Sequence, residues 1–111
     1  MIELSQHIEV LLLENDCVIV PGLGGFVAHY TPAIQVEENV FLPPTRTIGF
    51  NPQLKLNDWL LVQSYMAVYD TNFSDASKIV EDEVSELIIM LHKEGKVDLD
   101  NVGEIRYTIH D

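Results

Sequence analysis

Apolar positions in the first stretch of the chain, IELSQHIEVLLLE, recur at helical spacing. Leu4, Ile8, Leu11 and Leu12 fall on one stripe, with Glu3, Gln6, Glu9 and Glu14 mostly off it, and the spacing predicts an amphipathic helix ended by Asn15 and Asp16. His7 lies beside the stripe with no second His or Cys three or four positions away, so it reads as an edge residue rather than a ligand. The period then changes. Val18, Ile19 and Val20 form a β-branched run, Pro21, Gly22, Leu23, Gly24 and Gly25 follow, and a second apolar run starts at Phe26. The pattern predicts two strands joined by a tight glycine turn. Pro21 removes a backbone donor at the end of the first strand, while Gly22, Gly24 and Gly25 permit positive φ angles and close backbone approach. Residues 31–45 (TPAIQVEENVFLPPT) hold three prolines and two adjacent glutamates without a helical period, which predicts an extended arm or long loop. RTIGF, residues 46–50, suits a short third strand.

Asn51 followed by Pro52 is a helix-start signal. Leu54, Leu56, Leu60, Leu61, Ser64, Tyr65 and Val68 give a mainly apolar face from there to about residue 69, with Asn57 or Asp58 as a second place to start and Trp59 and Tyr65 as packing residues. Residues 70–72 read as a turn and Ser74 as the cap of a helix over 75–93. In that helix Val80, Val84, Leu87, Ile88 and Leu91 form a stripe widened by Ile79, Ile89 and Met90, wide enough to require two neighbours. Glu81, Asp82, Glu83 and Glu86 form its acidic side, read as a solvated face rather than a metal cluster. Gly95 is a helix stop, and two further strands are expected over Lys96–Leu99 and 104–109, around Asp100, Asn101, Val102 and Gly103.

Composition narrows the function. The 111 residues suit one compact domain or two very small ones, and 47% hydrophobic residues suffice for a core. Six Lys+Arg against 18 Asp+Glu give a net charge of −12, and the cations are scattered, which opposes binding to nucleic acid or anionic membrane. A single cysteine excludes an internal disulfide and suits a reducing compartment, so the chain is expected to be cytoplasmic; Cys17, inside a strand pattern, reads as a small buried residue rather than a nucleophile. No apolar run reaches the roughly 18 residues of a membrane span, and the N-terminus has neither the basic flank nor the cleavage site of a signal peptide. Two ligand motifs fail on context. The sequence from Gly22 to Val27 lacks the third glycine of a dinucleotide fingerprint and the Gly-Lys-Ser/Thr of a phosphate loop, and it runs into a strand. The calcium-loop pattern at Asp98, Asp100 and Gly103 has Val102 and Ile109 where a ligand and a bidentate glutamate belong. No cofactor or metal is expected.

An offset of 79 residues aligns the chain with itself without a gap: Ile8 with Leu87, Leu11 with Met90, Leu12 with Leu91, Val18 with Val97, Val20 with Leu99, Leu23 with Val102, Gly24 with Gly103 and Phe26 with Ile105. Each copy is an amphipathic helix, a polar stop, a strand, a glycine turn and a strand. Neither has enough core alone, so the two are expected to bury their faces together.

Residues 56–109, two helices, a helix end Glu-Gly-Lys-Val and a hairpin with Val102-Gly103 in its turn, resemble the opening of an HU/IHF-type protein, and residues 48–55 resemble its third strand and the start of its last helix. More specifically, residues 16–28 (DCVIVPGLGGFVA), Phe41-Leu42-Pro43-Pro44, Phe50-Asn51 and Asn57-Asp58 resemble the bacterial tandem HU-like domains grouped with a eukaryotic coiled-coil-domain protein family. The resemblance implies an α+β fold of two HU-like modules, residues 1–57 and 58–111, packed as a pseudo-dimer, with the second stopping before its arm, third strand and last helix. It also implies a scaffold or localisation module, often followed in such proteins by a transmembrane helix and a SPOR repeat.

HU and IHF proteins hold the minor groove with basic β-arms and a proline wedge. The corresponding arm here carries Glu37 and Glu38 and one cation, Arg46. Pro43 and Pro44 could imitate the wedge, but prolines in an extended connection more commonly stiffen it. Protein binding, to a partner or to a second copy, therefore ranks first, and DNA binding is the alternative. The candidate contact residues are Phe41, Leu42, Pro43, Pro44 and Arg46; apolar residues in a long loop either meet another chain or, more commonly, fold back onto the core. Catalysis is not expected: Cys17 and His29 sit on one hairpin without a positive environment, an oxyanion donor set or a third orienting group.

Overall fold

The computed structural model describes residues 2–99 and 101–106, with side chains from residue 3 onward. Among the described residues three helices and seven strands follow in the order α1 (Ile2–Glu14), β1 (Cys17–Val20), β2 (Gly24–Thr31), β3 (Ile34–Glu37), β4 (Val40–Leu42), β5 (Thr45–Asn51), α2 (Leu60–Tyr69), α3 (Phe73–Glu94), β6 (Lys96–Leu99) and β7 (Gly103–Arg106). The fold is α+β. β1, β2 and β5 form an antiparallel sheet in that order, while β3–β4 and β6–β7 are separate hairpins.

The repeat seen in the sequence is a repeat of backbone geometry. Val20 pairs with Gly24, and Leu99 with Gly103. Each turn is closed by the same bond, from Leu23 N–H to the Val20 carbonyl and from Val102 N–H to the Leu99 carbonyl, both 3.0 Å. The left-handed position inside each turn falls on Gly22 (φ 82°) and Asn101 (φ 61°), and the strand that follows opens on Gly24 (φ 154°) and Gly103 (φ 146°). Only Gly22 of the first glycine group belongs to the turn itself. Gly24 and Gly25 are buried strand residues: an added Cβ at Gly25 would lie 2.8 Å from Leu54 and 2.9 Å from Ile19.

The two copies share one core. Leu4, Ile8 and Leu12 of α1, Val18 and Val20 of β1, and Phe26 and Ala28 of β2 join Leu61, Val62 and Tyr65 of α2, Val80, Val84, Leu87 and Leu91 of α3, and Val97, Leu99 and Ile105 of the last hairpin in one buried cluster. This is the pseudo-dimer arrangement: both copies close on one core, with α2 between them, packed on α1 and β1 on one side and on α3 on the other. α3 finds its two neighbours in α2 and the β6–β7 hairpin, and Ile89 and Met90, on its outer side, remain exposed.

Several local expectations are corrected. The helix does not start at Pro52. The Asn51 side chain accepts from Gln53 N–H at 2.9 Å and that of Asn57 from Trp59 N–H at 2.8 Å, so both close short Asx turns and residues 52–59 stay irregular. Leu56 consequently lies on no helical face and is 89% exposed. Trp59, in left-handed backbone (φ 64°), is half-exposed against Phe73, with ring centroids 5.3 Å apart. The cap of α3 is Asn72, accepting from Asp75 N–H at 2.8 Å, and Ser74 lies inside the helix. Gly95 ends α3 in the left-handed conformation, as the sequence predicts (φ 79°). Residues 107–109 of the last expected strand and Asp100 of the rejected calcium loop lie outside the described residues.

Candidate functional site

The segment expected as an extended arm or loop is a β-hairpin. β3 and β4 pair through Ile34–Leu42, Gln35–Phe41 and Glu37–Val40, with a bulge between Gln35 and Glu37 and a turn through Glu38 and Asn39 (φ 65°). Asn39 tolerates the left-handed position that a tight reversal needs, and β-branched Ile34, Val36 and Val40 suit the strands, which is why this polar-tipped stretch pairs with itself. The hairpin projects from the outer end of the β2–β5 ladder, which runs to Thr31 opposite Thr45. A radius of gyration of 16.3 Å, above the roughly 13 Å of a compact chain of this length, reflects that projection.

The apolar side chains of the arm do not fold back. Ile34, Val36, Val40, Phe41 and Leu42 are all about half exposed, with Phe41 at 58%. Pro43 and Pro44 lie at the base of the hairpin, between β4 and β5, while its tip carries Glu38 and Asn39. Arg46 behaves differently from its neighbours. Its guanidinium donates to the Leu12 carbonyl at the C-terminal end of α1 and lies 5.6 Å from the centroid of the Tyr30 ring. A cation at a helix C-terminus completes the unsatisfied carbonyls and opposes the negative end of the dipole. The one cation of the arm thus anchors its root to α1 instead of facing outward with Phe41 and Leu42.

A second set of polar contacts lies where the two halves meet. Asp58 accepts from Leu60 N–H at 3.1 Å, at the start of α2, and from Ile19 N–H at 3.0 Å, on the outer edge of β1. One carboxylate therefore starts a helix of the second half and satisfies an edge strand of the first. His7 is not an edge residue: it is buried, stacks on Tyr65 with centroids 3.9 Å apart, and shares a 2.6 Å hydrogen bond with Ser64. Burial pushes its pKa down against the opposing pull of Glu3. Tyr65 donates its hydroxyl to Glu83 and Tyr69 donates to Glu3. Glu83 is therefore not part of a solvated face; burial, with the Glu3 charge beside it, raises its pKa. Nothing in the sequence pairs His7 with Ser64 and Tyr65, some 57 positions away, so this cluster was visible only in three dimensions.

Chemistry at Cys17 is disfavoured by its surroundings. The thiol is half-buried rather than fully buried, and burial followed by the Asp58 carboxylate pushes its pKa up, away from the thiolate. Among the described residues no group of His, Cys, Asp and Glu is placed to hold a metal ion, and no helix is long and apolar enough to cross a membrane.

A helix and hairpin present twice, one copy extended by a third strand and a projecting two-stranded arm, and both closed around a common core, define a tandem HU-like protein. Residues 1–58 match the family model for CCDC81-like prokaryotic HU domain 1 and residues 60–111 that for CCDC81-like prokaryotic HU domain 2, and the chain belongs to this family. No curated protein and no solved structure matches the chain.

Proposed function

We propose that this chain is a non-catalytic, cytoplasmic interaction module whose β-arm binds another protein, or a second copy of itself, rather than nucleic acid. The observation that carries the reading is the arm's surface: five large apolar side chains exposed on a hairpin with Glu37 beside its turn and Glu38 in it. Exposed apolar residues grouped on a projecting element favour a protein contact. Phosphate binding needs cations there, and the arm's Arg46 is occupied at the end of α1. Phe41 and Leu42 are the contact residues in this reading, Pro43 and Pro44 stiffen the base, and Arg46 fixes the angle at which the arm leaves the core.

Phe41→Ser tests it. With 58% of the residue exposed, the substitution is expected to change stability by no more than about 0.5 kcal/mol while abolishing co-purification of a partner or self-association in sedimentation. A variant that melts the domain, or that retains every contact of the unmodified chain, would contradict the reading.

A further inference from the structure

Away from the arm, α1 and α2 leave an open groove between them with a volume of about 550 Å³, lined by Glu3, Gln6, His7, Val10, Ser64 and Val68. Its floor is formed by side chains already fixed: His7 is held by Ser64 and by the Tyr65 ring. Its apolar walls are open to solvent, with Val10 60% and Val68 65% exposed, and Leu13 continues the α1 side one turn further at 67%. Val10 and Leu13 stand three apart on one helix, so they present a ridge that a third helix can straddle.

The charge around the groove selects what can lie there. α1 carries Glu3, Glu9 and Glu14 and no Lys or Arg, α2 (LLVQSYMAVY) carries no charged side chain, and Arg46, at the C-terminal end of α1, is engaged with the Leu12 carbonyl and the Tyr30 ring. His7 is buried, and burial lowers its pKa, which disfavours the charged ring. A helix resting its apolar stripe on Val10, Leu13 and Val68 would place its flanking side chains beside Glu3, which lines the groove and accepts from the Tyr69 hydroxyl, and beside Glu14, one turn beyond Val10 on α1. Lys and Arg are accepted there and Asp and Glu rejected. A second copy is a poor occupant, because a symmetric contact through α1 would set Glu3, Glu9 and Glu14 against themselves.

We propose that the α1–α2 groove is a docking site for a basic amphipathic helix of a partner protein, separate from the arm. The test uses a fluorescein-labelled peptide of about 18 residues, built from leucine and lysine at helical spacing so that it folds on contact, titrated with the full chain at about 0.15 M salt. Two control peptides carry leucine and glutamate at the same spacing, or the leucine–lysine composition scrambled. The patterned basic peptide is expected to bind at least about tenfold more tightly than either control, and the double variant Val10→Ser/Val68→Ser to lose at least about tenfold of that affinity with its melting temperature unchanged. Phe41→Ser is expected to leave it intact, which separates this site from the arm. Equal binding of the scrambled peptide, affinity unaffected by the Val10 and Val68 changes, or loss of binding in Phe41→Ser would each overturn the proposal. So would a dimer of the unmodified chain that the double variant dissociates.

Discussion

Gly24 and Gly103 occupy the same place in the two copies, with φ of 154° and 146°, and differ in what lies beyond them. An alanine at either position must hold a backbone that side chains rarely adopt, at about 1–3 kcal/mol. At Gly103 that is the whole cost, because nothing lies within 4 Å of the added Cβ. At Gly24 the Cβ would sit 2.7 Å from the Asn51 carbonyl oxygen, 2.7 Å from the Phe50 ring and 2.8 Å from Pro52 Cα. Two of those three atoms are backbone of the third strand and the turn after it, so they cannot swing aside. Overpacking of this kind adds about 1–3 kcal/mol. Gly24→Ala should therefore be the less stable of the two by about 1–3 kcal/mol, which at a typical urea dependence lowers the midpoint by roughly 1 M relative to Gly103→Ala. Urea titrations followed by circular dichroism and by the fluorescence of Trp59 measure both variants. Each is expected to unfold in one transition seen equally by the two probes, because the copies share one core. Equal losses would refute the steric account of Gly24, and separate transitions would refute the shared core.

Two further substitutions probe the junction between the halves. Asp58→Ala leaves Ile19 N–H and Leu60 N–H without their carboxylate and should cost about 1–3 kcal/mol, read as a lowered melting temperature; a change below about 0.5 kcal/mol would show that the edge of β1 is satisfied by water instead. His7→Phe keeps an aromatic ring against Tyr65 and removes the proton-binding site. The pKa of folded His7 lies below its ordinary 6.5, so the unfolded chain takes up the proton first; the His7 contribution is fully present above pH 6.5 and lost as the pH falls below it. Between pH 7 and about 5.5 the unmodified chain should lose stability more steeply than His7→Phe, and parallel curves would contradict the buried neutral ring.

Much of the fold was legible because it is written in local chemistry. The α1 stripe, the β-branched run before Pro21 and the Gly95 stop each depend on near neighbours, and the 79-residue offset reproduces the register of both hairpins, down to Gly24 and Gly103. The start of α2 at Leu60 departs from the local pattern for a physical reason. Asn51-Pro52 has the composition of a helix start, but the Asn51 side chain closes a turn, and Leu54 is drawn onto Gly25 across the sheet, a contact that local spacing does not encode. The arm's strands were hidden by its prolines, which stand outside the paired residues at 32, 43 and 44. Of the candidate contact residues, exposure keeps Phe41 and Leu42 available, whereas Arg46 reaches back to Leu12, 34 positions earlier. Asp58 could have been singled out from its place in the Asn57-Asp58 motif, but its second partner, Ile19, is fixed only by the packing of the two copies.

The central claim, an HU-like pseudo-dimer that meets protein rather than phosphate, is tested most directly by fluorescence anisotropy with random-sequence duplex DNA, begun at low ionic strength and repeated as salt is raised. With a net charge of −12 and Arg46 held at the end of α1, the chain is expected to show no binding even at the lowest salt. Tight binding that falls steeply with added salt would mean that its few cations converge on one face, and would contradict the account.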